Sequence, residues 1–169
     1  MLRNNRGQDL AVGFLAVMIF VLTAAGLADL TRLVVTRNFA DRVAYEAALI
    51  GVSRGRDWNY AVSNGVLRLT SATAQTEAQS AVASMMSQAK ISTYSVDVRV
   101  LPDPTGGTIT GFPPVASAAA FDSANWTSSR PAVGVYVVIP MTTYLFGMVN
   151  GGAAVDVHAF GAAEVHSRP

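Results

Sequence analysis

The stretch "DLAVGFLAVMIFVLTAAGLADLTRL", from Asp9 to Leu33, limits what this chain can become more than any other part of it. No residue between Leu10 and Ala28 is charged. Wound as a helix rising about 1.5 Å per residue, that run nearly fills a hydrocarbon core of roughly 30 Å. Three readings compete. A cleavable secretory signal would use Arg3 and Arg6 as its basic start and Gly26-Leu27-Ala28 as its small-x-small site, but the run is longer than the usual apolar region of about 7–15 residues. A buried core helix fits less well, because nothing interrupts the apolar face over so long a run. A permanent anchor fits the length best.

Helical patterning continues past the apolar run. Asp29 and Arg32 stand three apart, whereas Arg37–Asp41 and Arg42–Glu46 stand four apart, spacings that bring each pair onto one helix surface. Leu33, Ala40, Ala44, Ala47, Ala48 and Gly51 form a stripe of mostly small residues at helical spacing, suited to close approach of a sheet or another helix. The first proline is Pro102. One helix is therefore expected from about Asp9 to about Val52, stopping at Gly51 or in the turn "SRGRDWN" around Gly55.

Beyond it, Thr70 or Ser71 is placed to cap a helix whose Ala74, Ala78, Val82, Met85, Met86 and Ala89 recur with helical period, the Met pair reading as core filler. "YSVDVRV", "AVGVYVVIP" and "AAVDVHAFGAAEVH" alternate as strands, the second with both faces covered. Residues 102–131 hold Pro102, Pro104, Pro113, Pro114 and Pro131 and read as one long surface loop, with Phe112, Phe121 and Trp126 packing parts of it down. "MTTYLFGMVNGG" is too apolar for a bare connector. Its Tyr144, Leu145, Phe146, Met148 and Val149 are read as a cap on the core, with the bilayer surface or a neighbouring subunit as alternatives.

The expected fold class is α+β: a long N-terminal transmembrane helix continuing into a small domain with one further helix and an antiparallel sheet of three to four strands. The segments are a cytoplasmic tail or leader at 1–9, the membrane span at 10–28, its extracytoplasmic continuation at 29–52, and an α+β extracytoplasmic domain at 53–169. The domain is placed outside because it is Ser/Thr/Val-rich with a single Lys, whereas flanking arginines on both sides leave the charge rule undecided.

Little in the chain suggests chemistry. Lys+Arg 12 against Asp+Glu 11 leave a formal charge of +1 without a basic cluster, so nucleic acid is not an expected partner. There is no Cys, no G-x-S-x-G and no H-E-x-x-H. Asp156, His158, Glu164 and His166 share one strand face, but Asp156 and His166 would lie roughly 33 Å apart at about 3.3 Å per residue, too far for one ion. The expectation is a protein without catalytic residues, metal or cofactor.

The basic start with "RG" and Gln, the apolar helix and then "AGLADLTRLVVTRNFADRVAYEAALIG" resemble the TadE/TadG-like family of the tight-adherence (Flp-type) pilus. The resemblance covers 6–52 and extends loosely to the two C-terminal strands. It implies a minor pilin or pseudopilin of a bacterial inner membrane, with the membrane and other pilins of the same system as partners. It further implies a prepilin peptidase cutting after Gly7 to expose Gln8, and an Asp followed by an Arg at the membrane exit, matched by Asp29 and Arg32. The stripe from Leu33 to Gly51 would then pack against partner helices. One departure stands out: processed members of the TadE type carry a Glu where Val12-Gly13-Phe14 has Gly. The other expectation is a permanently anchored extracytoplasmic binding module that never enters a fibre.

Overall fold

A computed structural model describes residues 6–114, 125–149, 151–152 and 154–166. Arg3 and Phe121 lie outside the described residues. The chain divides into two units, one formed by the described residues of Met1–Val35 and Met141–Val155, the other by those of Thr36–Pro140 and Asp156–Pro169. The first helix, α1 (Arg6–Arg54), runs unbroken through the segment expected to be helical and slightly beyond it at both ends. Gly51 does not stop it. There the missing side chain is used for packing: a Cβ would lie 2.9 Å from the Ala74 carbonyl oxygen and 3.1 Å from the Ala78 methyl. The stop is at Gly55, whose N–H donates to the Gly51 carbonyl (2.8 Å) while its own carbonyl accepts from Thr70 (2.8 Å).

In the larger unit, a short helix α2 (Trp58–Asn64) follows, where a simple turn was expected. Its start is fixed by Asp57, whose carboxylate accepts from the Tyr60 N–H (3.0 Å) and pairs with Arg68 (2.9 Å). Its end is fixed by Gly65 in the left-handed region (φ 71°). The Tyr60 N–H and the Arg68 guanidinium together hold the Asp57 carboxyl below its ordinary range. Helix α3 (Ser71–Gln88) buries Ala74, Ala78, Val82 and Met86, and Thr70 stands at its N-cap without a side-chain hydrogen bond.

Strands β1 (Ser95–Leu101), β4 (Ala132–Met141) and β5 (Val155–Glu164) form an antiparallel sheet in the order β1-β4-β5. Val98 lies opposite Val135 and Val96 opposite Val137, and the Val165 N–H closes the far end on the Pro131 carbonyl (2.8 Å). Val133, Val135, Val137 and Ile139 point into a core shared with Ala40, Val43, Ala44, Ala47 and Ala48 of α1 and with the buried face of α3. Alternation sends Gly134 and Tyr136 to the other face.

That other face is covered by part of the expected loop. Within 102–131 the chain forms β2 (Gly107–Thr110) and β3 (Asn125–Ser128), an antiparallel pair with Thr108 opposite Thr127 and Ile109 opposite Trp126. Phe112 is only 2% exposed and meets Trp126, Tyr136 and Phe160 edge-to-face at centroid distances of 6.0, 6.5 and 5.5 Å. Gly134 leaves room for these rings, since a Cβ there would lie 3.0 Å from the Phe112 ring and 3.1 Å from that of Trp126. The sheet is thus covered on both faces. The expected α+β class, the further helix α3 and a three-stranded antiparallel sheet are present; α2, a short α4 (Leu145–Val149) and the two-stranded β2–β3 sheet come in addition, the last replacing part of the expected 102–131 loop.

Candidate functional site

The smaller unit carries the features that bear on function. From Leu10 to Leu22 the α1 side chains are exposed throughout, with Leu10 at 77% and Phe20 at 73%. A helix apolar on all sides needs an apolar surrounding. α1 is the one helix among the described residues long and apolar enough to cross a membrane.

Where the uncharged run ends, Asp29 is fully buried. Its Oδ1 accepts from the Tyr144 N–H at 2.8 Å, and its Oδ2 accepts from the N–H groups of Leu145 (2.7 Å) and Phe146 (3.3 Å). These are donors that the start of α4 leaves without a partner in its own helix. Asp29 therefore acts as an N-cap supplied from far away in sequence, and three charge-assisted donors offset the cost of burying its carboxylate. Gly26, one turn earlier on α1, makes the approach possible: a Cβ there would lie 3.2 Å from a Leu145 methyl. The Arg32 guanidinium lies 5.1 Å from the centre of the Tyr144 ring. At its other end the segment closes through the Gly152 N–H on the Gly147 carbonyl (2.6 Å), with Gly151 and Gly152 at φ 64° and 83°. Together these residues form a clasp at the foot of the apolar helix.

The clasp changes several expectations. Asp29 holds the backbone of α4, and Arg32 lies over its Tyr144 ring. The neighbouring pairs do form, Arg37–Asp41 at 3.8 Å and Arg42–Glu46 at 3.4 Å, both half-exposed. The segment "MTTYLFGMVNGG" returns to Asp29, and Tyr144, Phe146 and Met148 remain exposed at 64%, 41% and 84%. Sequence spacing gives no sign of this clasp, because its partners are separated by more than a hundred positions and the donors are backbone groups of no fixed residue type.

The small-residue stripe of α1 packs within the larger unit. Ala40, Ala44, Ala47 and Ala48 have no exposed surface, and Gly51 is buried, all against this chain's own sheet and α3. Gly161 of β5 shows how close the approach is, since a Cβ there would run into the α1 backbone at Ala44 and Tyr45. Only Leu33 is half-buried. Gly7 and Gln8 lie in the first turn of α1. The strand residues suspected of metal binding are used separately: His158 Nδ1 meets the Tyr136 hydroxyl (2.7 Å), and Glu164 accepts from Ser128 (2.8 Å). Among the described residues no cluster of His, Cys, Asp or Glu is arranged to hold a metal.

Comparisons with protein-family models, with curated proteins and with solved structures return no match. The fold and the clasp define a class in physical terms alone. One N-terminal helix, long and apolar enough to cross a membrane, continues into an α+β unit with antiparallel sheets.

Proposed function

We propose that this chain is a single-pass membrane protein of the minor pilin or pseudopilin type, which takes part in assembling or initiating a tight-adherence surface fibre. The observation that carries the reading is α1 itself. From Leu10 to Leu22 it exposes apolar side chains, and from Ala40 to Val52 it packs into an α+β unit, so one continuous helix would serve both a lipid anchor and a folded head. The order of basic start, apolar helix, Asp29–Arg32 exit and Ala-rich continuation supports the pilus system as the setting. Its partners would be the membrane, other pilins and, for the leader ending at Gly7, a prepilin peptidase.

A second reading has an observation of its own. The small-residue stripe is occupied by the chain's own sheet, and Gly13 stands where fibre-forming members carry a Glu. Both favour a permanently anchored extracytoplasmic binding module. The two separate on one experiment: the intact mass and N-terminal residue of the protein from cells that make the cognate machinery, measured in membrane and sheared-fibre fractions. A chain starting at Gln8 and present among sheared fibres supports the minor pilin. A chain retaining Arg3 and Arg6 and confined to the membrane supports the anchored module.

A further inference from the structure

We infer that α4 is a second membrane contact, a short helix held by Asp29 in the interfacial layer of the same bilayer that α1 crosses. This rests on the anchor reading above and goes beyond it by assigning a surface to a lipid partner. Asp29 is the first charged residue after the apolar run, so the clasp fixes the backbone of Tyr144, Leu145 and Phe146 at the depth where hydrocarbon gives way to headgroups. Gly26 admits Leu145 against the last apolar turn, which locks α4 to that depth. The side chains left exposed are Tyr144, Phe146 and Met148, and Leu27 and Leu30, which flank Asp29 in sequence on α1, are exposed as well.

This composition matches the interface. Tyr has an apolar ring and a polar tip, as in the aromatic belts at membrane–water boundaries, and Arg32 beside it carries the charge that headgroup phosphates attract. The apolar surface of α4 continues the one that α1 already exposes to lipid, which is why lipid is its occupant. Burying the carboxylate at the boundary also has a reason here. Asp29 satisfies the start of a helix that has no water to supply partners on its lipid side.

The chain has no Cys, so single cysteines can be introduced cleanly. Met148→Cys and, separately, Phe20→Cys in the full chain are labelled with an environment-sensitive fluorophore and reconstituted in vesicles of phosphatidylcholine and phosphatidylglycerol. Both labels are expected to shift to the blue and lose quenching by aqueous iodide. Lipids brominated near the headgroup quench the label at 148, and lipids brominated deep in the chain quench the label at 20. Adding Asp29→Ala is expected to restore iodide quenching at 148 while leaving the label at 20 unchanged. A label at 148 open to iodide while that at 20 is in lipid overturns the inference and leaves the anchor standing. Iodide quenching at 20 overturns the anchor and the inference with it. A label at 148 shielded from both iodide and brominated lipid, with Met148→Cys chains forming disulfide-linked pairs, assigns the surface to a second copy and overturns the lipid contact.

Discussion

Between Leu10 and Leu22, α1 carries large apolar side chains that stay exposed; between Ala40 and Val52 it carries mostly small ones that are buried. Both segments are helical and both present apolar side chains, the second on one face only, yet they answer to different surroundings. In the first, bulk suits the proposed lipid surrounding, which is fluid and fills any shape. In the second, the neighbour is a backbone: Gly161 and the Ala40–Ala44–Ala47–Ala48 row bring helix and strand together at a spacing that larger side chains would forbid. Side-chain size, more than hydrophobicity, separates the exposed part of the helix from the sheet-facing part.

The comparison breaks most clearly at Ala44. Ala44→Glu places an unpaired charge in a site with no exposed surface and is expected to cost on the order of 4 kcal/mol or more, enough to unfold the larger unit. Loss of the cooperative thermal transition by circular dichroism, in detergent-solubilised full chain, is the measurement. Leu22→Ala, on the exposed part of the same helix, is the matched control, and should shift that transition by no more than about 0.5 kcal/mol. Equal effects at the two positions would mean that the two parts of α1 share one environment.

The opposite face of the sheet offers the next test. Phe112→Ala removes the ring that Trp126, Tyr136 and Phe160 surround and is expected to cost about 3–5 kcal/mol by denaturant unfolding. A smaller loss would show that the β2–β3 pair lies on the sheet without stabilising it.

How legible was this in the sequence? The apolar helix was readable as an uninterrupted run, and the stripe, α3 and the three long strands as periodic patterns of side chains over seven or more residues. The β2–β3 pair was not, since each strand has only four residues and Pro102, Pro104, Pro113, Pro114 and Pro131 lie around them, which favours a loop reading. α2 had a readable signal in Asp57 at its start and Gly65 just past its end, outweighed by its short length. The clasp was beyond reach for another reason. Asp29 looked like half of a helix-surface ion pair with Arg32, and only tertiary structure reveals that its carboxylate faces the amides of 144–146.

The clasp gives a more local prediction. Asp29→Ala leaves the N–H groups of Tyr144, Leu145 and Phe146 without their acceptor, so their hydrogen exchange should accelerate while amides of β4 and α3 exchange as before. Uniform acceleration would mean that Asp29 supports the whole fold.

The smallest effect concerns pH. Asp57 has a folded-state pKa below its unfolded value, so its contribution to α2 is complete above the unfolded value of about 3.9. It is lost as pH falls from there through the depressed folded value, as the unfolded state binds the proton first. Asp57→Asn should flatten this acid limb in a titration of stability against pH, without changing behaviour near neutrality in slope.

The central claim is that the first part of α1 is kept in the mature protein and holds the membrane-borne chain in lipid. Its most direct test is alkaline carbonate extraction of membranes containing the native protein, followed by the intact mass of whatever remains in the pellet. The expected result is a chain in the pellet that still includes Phe14 to Leu27. A chain released into the supernatant, or one whose mass begins after Ala28, would contradict the account.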